Sequence, residues 1–327
     1  MTMRAMTITE DHRLELAELP EPVPAPGEVL IDVVAAGVNR ADLAQTAGKY
    51  PPPAGASELP GLEVSGYRRD TGEKVVALLA GGGYAEVVAA PTEVLLPAPA
   101  GISLVDAAGV IEAAATVVSN LVLEAGLHEG ETILIQGGTG GIGSVAIQLA
   151  RQMGARVLTT VGSDAAIATA RELGADMAWN RHTTDLLEAV RETGGVDVIL
   201  DVVGGSALAD HVGMLRESGR LVIIGTLGGS SGELPIGKLM GKRGRVIGTT
   251  LRSRPLETKH GILEAVRYLA WPLLESGELS VPIHARLPLE RAEDAHAILR
   301  EGGHLGKVIL EVAAPANNSG GGRRRRG

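Results

Sequence analysis

A glycine-rich loop between a short apolar strand and an amphipathic helix constrains the fold of this chain more than any other feature. The run Thr132 to Ile135 precedes the pattern G-x-G-x-x-G, whose glycines are Gly138, Gly140 and Gly143. Glycine permits positive φ angles, lets the backbone approach a pyrophosphate, and allows close packing of helix on strand. The following helix N-terminus offers unpaired N–H groups and a partial positive charge. The loop therefore predicts dinucleotide binding, with a flexible turn that binds no ligand as the alternative.

The same strand–helix unit recurs through the middle of the chain. Strands are predicted at 156–161, 196–203 and 220–224, and helices at 142–153 and 207–215. Alternating strands and helices of this length indicate a parallel sheet with right-handed crossovers. The strands at 196–203 and 220–224 are nearly continuous in apolar residues, which is typical of strands buried on both faces. This part of the chain is therefore predicted to be a doubly wound α/β domain of the Rossmann type.

The two ends of the chain have a different rhythm. Residues 1 to about 100 contain short apolar stretches separated by clusters of Pro and Gly, a pattern typical of strands and turns. Near the other end, the sequence predicts a helical stretch at 257–276 interrupted by Pro272, a helix at 289–300 and a last strand at 307–312. The first of these two regions is therefore expected to be β-rich.

Length and composition narrow the class of protein. A chain of 327 residues is longer than one hydrophobic core usually supports, so two domains are expected. Cysteine is absent, which excludes disulfides and cysteine-ligated zinc. Without the four arginines at 323–326, 26 basic residues stand against 39 acidic ones, a net charge of −13 that disfavours nucleic-acid binding. No uninterrupted apolar run reaches ~18 residues and no signal-peptide core is evident, so we expect a cytoplasmic protein outside the membrane.

The end of the strand at 156–161 bears on the choice between NADPH and NADH. An NAD site usually places Asp or Glu at this point, but the chain reads Val161, Gly162 and Ser163. A small pocket with a hydroxyl, together with Arg181 after the third strand, would accept the 2′-phosphate of NADPH. Asp164 would repel that phosphate, so NADH stays possible, and Ser163 could equally serve as a helix N-cap.

Several segments outside the loop carry a family resemblance. They are residues 36–43 (AGVNRADL), 48–53 (GKYPPP), 60–66 (PGLEVSG), 80–86 (AGGGYAE), 251–254 (LRSR) and 306–310 (GKVIL). On these segments and the glycine loop, the chain resembles the zinc-independent quinone oxidoreductases, the zeta-crystallin-like branch of the medium-chain dehydrogenase/reductase superfamily. Within that branch it is most similar to the stress-inducible NADPH quinone reductases.

The resemblance implies an α/β architecture of two domains with the active site in the cleft between them. A GroES-like β domain would comprise residues 1–115 and 282–312, and a Rossmann domain residues 116–281. The tail, 313–327, is expected to be disordered. A homodimer is implied by the family and favoured by the apolar strand at 245–250, because an edge strand exposes unpaired backbone groups.

The resemblance also bears on metal binding. In the zinc alcohol dehydrogenases of this superfamily, the first catalytic ligand is Cys where this chain has Asn39, and the next is His where it has Leu62. Neither an amide nor a leucine replaces a thiolate or an imidazole on zinc. The prediction is therefore an enzyme without metal and without flavin.

Four residues are candidates for the chemistry. Hydride transfer to a quinone builds charge on a carbonyl oxygen, and the Asn39 amide or the Tyr50 hydroxyl could donate to it. Asp42 would orient Asn39 or a water, and Arg252 would contact substrate or phosphate. The alternatives are that Asn39 and Asp42 cap a short helix, Tyr50 is a packed loop residue, and Arg252 is a solvated surface charge.

The remaining candidates would bind the cofactor. By family position Thr116 would hydrogen-bond the nicotinamide carboxamide, and Lys307 would reach a phosphate or face water. The predicted cofactor-binding set is Thr116, Gly138, Thr139, Gly140, Gly141, Ile142, Gly143, Ser163, Arg181, Gly225, Leu227 and Lys307. Ala166 and Arg181 stand where the family often has Lys and Tyr, which suggests a relocated 2′-phosphate partner. The segment between Gly66 and Lys74 is also shorter than the family pattern.

Three functions are compatible with these residues. The first is an NADPH-dependent, metal-free quinone reductase acting on a small-molecule acceptor. The second is a reductase of the carbon–carbon double bond in enones or enoyl thioesters. The third is an NADPH-binding protein without turnover, like some crystallin relatives.

Overall fold

The computed structural model describes residues 1–312 of the chain; the predicted disorder of 313–327 lies outside the described residues. The strands are β1 (Thr2–Ile8), β2 (Leu14–Pro20), β3 (Glu28–Val38), β4 (Glu63–Arg68), β5 (Lys74–Leu78), β6 (Val87–Pro91), β7 (Leu95–Pro97), β8 (Thr132–Ile135), β9 (Arg156–Val161), β10 (Met177–Asn180), β11 (Val196–Asp201), β12 (Leu215–Ile223), β13 (Arg245–Gly248), β14 (Ile283–Pro288) and β15 (Lys307–Glu311). The helices are α1 (Arg40–Thr46), α2 (Leu104–Ala107), α3 (Ile111–Val118), α4 (Gly141–Gln152), α5 (Ala165–Glu172), α6 (Leu186–Glu192), α7 (Leu208–Met214), α8 (Ile236–Gly241), α9 (Leu256–Leu269), α10 (Trp271–Ser276) and α11 (Ala292–Glu301).

The central domain is built on a six-stranded sheet in the order β10-β9-β8-β11-β12-β13. Every neighbouring pair in this sheet is parallel. The strand order reverses beside β8, and ligands of open α/β sheets bind in the crevice at that reversal. The apolar strand β11 is almost entirely buried, and so are Leu221 and Val222 of β12, as predicted for strands covered on both faces. The Rossmann prediction is confirmed.

The other domain contains a seven-stranded sheet assembled from both ends of the chain. Its order is β14-β15-β3-β4-β5-β7, with β6 also paired to β3. The last strand, β15, lies antiparallel beside β3, and Val308 is opposite Val38. This pairing places residues 306–307 next to the glycine loop. The GroES-like β domain that the resemblance implies is therefore present.

No single residue separates the two domains, because one helix packs on both of them. The predicted boundary after residue 115 falls inside α3, which packs on β5 of the β domain and on α4 and α9 of the Rossmann domain. The helical stretch from Leu104 to Glu124 is long and apolar enough to cross a membrane by length and composition, but 78% of its apolar 18-residue window is buried in the protein. Burial between two domains accounts for this composition.

Details of the predicted elements differ from the structure in explicable ways. β11 ends at Asp201, two residues earlier than predicted, because the Asp201 carboxylate accepts hydrogen bonds from the Val203 and Gly204 N–H groups. β12 begins at Leu215, earlier than predicted. Pro272 lies in the first turn of α10, where its missing N–H costs nothing, so it separates two helices as predicted.

Candidate active site

The glycine loop forms a tight cradle between β8 and α4. A Cβ atom at Gly138 would overlap Thr159 Oγ1, and one at Gly143 would overlap the Gly137 carbonyl oxygen. The residue with a positive φ is Gly137 (+74°), not one of the three glycines of the pattern. The glycines at 138 and 143 are therefore required because the loop packs closely on β9 and on itself. The turn depends on Gly137, which precedes the pattern.

The loop also touches the last strand of the β domain. The Gly306 N–H donates to the Thr139 carbonyl oxygen at 2.8 Å, and Gly140 pairs with Gly306 in an isolated parallel bridge. The aliphatic part of Lys307 lies against Gly141, where a Cβ would block it. α4 begins at Gly141, so Ile142 and Gly143 lie in its first turn. The first N–H groups of a helix have no partner within the helix, and such groups are well suited to bind an anion.

Arg181 directly follows β10, and its side chain reaches the carboxyl end of the neighbouring strand β9. Its guanidinium nitrogens are 3.1 Å from the position that a Cβ of Gly162 would occupy. Asp164 is the acid that was expected to repel a phosphate at this position. Its carboxylate accepts a hydrogen bond from the Asn180 amide at 2.8 Å. Asp164, not Ser163, is the N-cap residue of α5, so the capping alternative for Ser163 is wrong.

A second arginine, which the sequence analysis missed, faces this position from the other domain. Arg40 is the first residue of α1, and burial together with the positive charge of Arg181 lowers the pKa of Arg40. Neither arginine has a carboxylate within ion-pair distance in the part of the chain that the structure describes. Two cations that repel each other across a cleft favour an anion between them.

A buried ionic cluster lies under the glycine loop. Lys307 Nζ is 2.6 Å from Glu63 Oε1 and 2.5 Å from Asn39 Oδ1, and the Asn39 amide nitrogen donates to Glu63 Oε1 at 3.0 Å. All three side chains are buried. Two expectations are corrected: Lys307 neither faces water nor reaches toward a phosphate, and the Asn39 amide is already used at both ends. Asn39 therefore positions Lys307 and Glu63.

Glu112 extends the same cluster toward the Rossmann domain. Its backbone N–H donates to Glu63 Oε2 at 3.0 Å, and its Oε1 accepts from the Thr116 hydroxyl at 3.1 Å. Burial and the negative charge of Glu63 raise the pKa of Glu112 to about 7, although Lys307 opposes this. Burial alone would lower the pKa of Lys307, but Glu63 and Glu112 outweigh it and raise that pKa. Thr116 is therefore bound to a carboxyl group within the cluster.

Asp42 is enclosed in the β domain and does not reach the cleft. It accepts hydrogen bonds from the Asn39 N–H at 2.7 Å, the Gly61 N–H at 3.1 Å and the Tyr84 hydroxyl at 3.1 Å. The Tyr84 oxygen is also 3.2 Å from His296 Nε2. Burial raises the pKa of Asp42 to about 6 despite these hydrogen bonds. Asp42 holds the start of α1 in place, which is the capping alternative rather than a catalytic role.

Arg252 connects the two domains. From the loop after β13 it donates to the Ala80 carbonyl oxygen (2.7 Å), the Tyr50 carbonyl oxygen (3.1 Å) and Gln45 Oε1 (2.7 Å). Its guanidinium carbon is 5.3 Å from the centre of the Tyr50 ring. The side chain is buried, so Arg252 is not a solvated charge, and all its nitrogens are used by protein groups. Tyr50 is half-buried and packs on Arg252.

Gly225 and Leu227 follow β12 at the carboxyl edge of the Rossmann sheet. The Leu227 N–H donates to the Val202 carbonyl oxygen at 3.1 Å, and the Leu227 side chain is 60% exposed. A Cβ at Gly225 would come within 3.0 Å of the same oxygen. Contact of these two residues with a bound cofactor stays a prediction.

A small cavity lies between the domains beside the ionic cluster. Its volume, about 10 Å³, is about the space of one water molecule. The residues that line it are Leu62, Leu78, Leu79, Glu112, Leu251, Arg252 and Lys259. Within residues 1–312, Glu112 Oε2 has no hydrogen-bond partner, and the Lys259 amino group has neither a hydrogen bond nor an ion pair. Neither residue is marked by any motif in the sequence.

The chain is similar to known proteins over nearly its whole length. The family described as alcohol dehydrogenase GroES-like domain matches residues 25–100, and the family described as zinc-binding dehydrogenase matches residues 141–267. The quinone oxidoreductase of Mus musculus is 29% identical, over 94% of this chain and 97% of that protein. The quinone oxidoreductase of Thermus thermophilus, whose structure is known also in complex with NADPH, is 33% identical over 94% of this chain and 100% of that one, with a TM-score of 0.82.

The chain belongs to the quinone oxidoreductase branch of the medium-chain dehydrogenase/reductase superfamily. The quinone oxidoreductase of Pseudomonas syringae pv. Tomato DC3000, 26% identical with a TM-score of 0.83, has the same architecture over 95% of this chain. The predicted branch is confirmed, and membership of the stress-inducible subgroup stays a prediction. Within residues 1–312 of the present chain, no three His, Asp or Glu side chains are close enough together to hold a metal ion.

Proposed function

We propose that this protein is an NADPH-dependent, metal-free reductase that transfers hydride from the nicotinamide to a quinone. The observation that carries the proposal is the direct contact between the glycine loop of the Rossmann domain and the Lys307 end of β15. If the glycine loop binds a dinucleotide as proposed, this contact brings the cofactor against the cluster of Asn39, Lys307, Glu63 and Glu112. The similarity to a quinone oxidoreductase solved with NADPH supports the choice of reaction.

The residues present fit NADPH. Because Gly138 and Gly143 leave no room for side chains, the loop brings backbone N–H groups to a pyrophosphate. At the other end of the cofactor, Arg181 would bind the 2′-phosphate beside Gly162, and Arg40 adds positive charge from the β domain. NADH would bind in the same cradle without using these two arginines.

On the substrate side, the chain supplies positioning and electrostatics. NADPH, when bound, supplies the hydride, and the protein must stabilise the oxygen that gains charge. Asn39 is buried and hydrogen-bonded to both Lys307 and Glu63, so the half-buried Tyr50 hydroxyl stays the proposed hydrogen-bond donor among the predicted residues. Arg252 holds the Tyr50 ring and ties the domains together, and this fixes the width of the cleft.

Loss of NADPH absorbance with 1,4-benzoquinone as acceptor tests the proposed function, and an enone run in parallel tests the alternative. Turnover of the quinone at equal rates before and after dialysis against a chelator is the expected result. Turnover of the enone alone would support reduction of a carbon–carbon double bond instead. Tight NADPH binding without turnover of either acceptor would support a crystallin-like role.

The proposed setting is a cytoplasmic homodimer that binds neither membrane nor nucleic acid. β13 is the edge strand of the Rossmann sheet, as predicted, and α8 before it exposes Ile236 (62%) and Met240 (72%). Leu227 on the neighbouring loop is also exposed. An open strand edge beside exposed apolar side chains suits a two-fold contact between copies of this chain.

A further inference from the structure

The cavity beside the ionic cluster combines three unusual features. It is large enough for one oxygen atom but not for a ring, it lies between leucines of both domains, and it contains the Glu112 carboxyl group. The Glu112 side chain is partly buried, and its Oε2 atom is inaccessible to water yet has no hydrogen-bond partner within the described part of the chain. A buried carboxyl oxygen without a partner is costly, so such a group in a native structure calls for an explanation.

We propose that Glu112 is the proton donor to the substrate oxygen, and that the cavity receives this oxygen while the quinone ring lies in the cleft toward the nicotinamide. This inference rests on the proposed quinone reductase function and names a catalytic residue for it. The unpartnered Oε2 would then donate its proton to the oxygen that occupies the cavity. Thr116 holds the other carboxyl oxygen and so fixes the orientation of the group.

The step balances in atoms and charge. Hydride delivers two electrons and one hydrogen to the quinone and leaves a hydroquinone anion, and the O–H bond of Glu112 breaks as a new O–H bond forms on that oxygen. The products are a neutral hydroquinone and a Glu112 carboxylate, which regains a proton from water once the product leaves. Phenolic oxygens have a pKa of about 10, so transfer from an acid with a pKa of about 7 is downhill.

The charged groups around Glu112 set its titration. Burial has the largest effect and raises its pKa, Lys307 from β15 lowers it, and Glu63 from β4 and Asp42 from α1 raise it. Across the cavity stand Arg252 and Lys259, whose pKa values are both lowered by burial. The positive charge of Lys259, which has no partner among the described residues, would stabilise the oxygen anion before it takes up the proton.

The test is the pH dependence of kcat/KM for 1,4-benzoquinone at saturating NADPH in wild type and Glu112→Gln. A donor must be protonated, so the wild-type value should fall about tenfold per pH unit above pH 7. Glu112→Gln should be about 10²-fold slower at pH 6, lack this decline, and bind NADPH as wild type does. Glu264→Gln makes the same chemical change on α9, in an exposed pair with Arg267, and should match wild type.

Each outcome has a distinct meaning. If Glu112→Gln keeps the wild-type rate and pH profile, Glu112 is not the donor while the reductase function stands. If neither wild type nor Glu264→Gln reduces the quinone, the proposed function itself fails. Should Glu112→Gln not fold, Glu112→Asp decides: partial activity with the same decline above pH 7 supports the donor, and full activity without that decline overturns it.

Discussion

Lys307 Nζ and Glu63 Oε1 form an ion pair at 2.6 Å in the interior of the β domain, where both side chains are almost inaccessible to water. The two residues come from β15 and β4, near opposite ends of the chain, and β3 lies between their strands. The Asn39 amide bridges them and keeps both charges hydrogen-bonded. This pair therefore connects the geometry of the site to the stability of the fold.

Removing one member of the pair should destabilise the protein more than removing both charges. Lys307→Met leaves the Glu63 carboxylate buried without its partner, which typically costs about 3–5 kcal/mol in the free energy of unfolding. The double variant Lys307→Met/Glu63→Gln should recover part of that loss in urea unfolding. If the double variant is less stable than Lys307→Met alone, the unpaired charge of Glu63 is not what destabilises the single variant.

Asn39 should behave as a positioning residue. Asn39→Ala removes two hydrogen bonds to charged groups, each worth about 1.5–3 kcal/mol, so the free energy of unfolding should fall by about 3 kcal/mol or more. The kcat for benzoquinone should change less than tenfold in the fraction that stays folded. A loss near 10²-fold in kcat with unchanged unfolding would instead identify Asn39 as a donor to the substrate oxygen.

Arg181 should discriminate between the two nicotinamide cofactors. Arg181→Ala removes a cation beside Gly162, and a charge-assisted hydrogen bond of about 1.5–3 kcal/mol corresponds to a loss of about ten- to 100-fold in NADPH affinity. The Kd for NADH should stay nearly constant. Isothermal titration with both cofactors measures this, with Arg171→Ala on the exposed face of α5 as the control. Equal losses for both cofactors would remove Arg181 from the 2′-phosphate site.

Asp42 and His296 contribute opposite pH dependences to stability, although both contact the Tyr84 hydroxyl. Burial raises the pKa of Asp42 from 3.8 to about 6, so the folded state holds a proton that the unfolded chain releases. That contribution is complete below about pH 4 and is lost as the pH rises to 6. Burial lowers the pKa of His296 from 6.5 to about 4, so its contribution is lost as the pH falls from 6.5 to 4.

Two variants separate these contributions. Relative to wild type, Asp42→Asn should gain about 3 kcal/mol in the free energy of unfolding as the pH rises from 4 to 6. His296→Gln should gain about 3 kcal/mol relative to wild type as the pH falls from 6.5 to 4. Urea unfolding at intervals of half a pH unit measures both. A constant offset from wild type across the range would contradict them.

The proposed dimer depends on apolar side chains near β13. Ile236→Lys and Met240→Lys place charges on this surface and should convert a dimer to a monomer in light scattering at micromolar concentration. Tyr268→Lys alters an equally exposed apolar residue on α9 and should leave the dimer intact. A monomeric wild-type protein under the same conditions would refute the proposed assembly.

The sequence predicted the parts of the site that depend on local pattern. The glycine loop, the absence of an acid at the end of β9 and the position of Arg181 all follow from residues close together in the chain. Glu63 and Glu112 were missed because each is a single acid in an apolar segment, and only the pairing of β15 with β3 brings Lys307 to them. Arg252 was misjudged for the same reason, since its partners lie in the other domain.

The position of β15 has a consequence for biosynthesis. The six-stranded sheet uses residues 132–248, so all its strands have left the ribosome while β15 is still unmade. The β domain lacks its strand at 307–311 until then, and Glu63 and Glu112 have no ammonium group between them. Newly made chains should therefore fold the nucleotide-binding half first and acquire a working cleft only as the final strand is released.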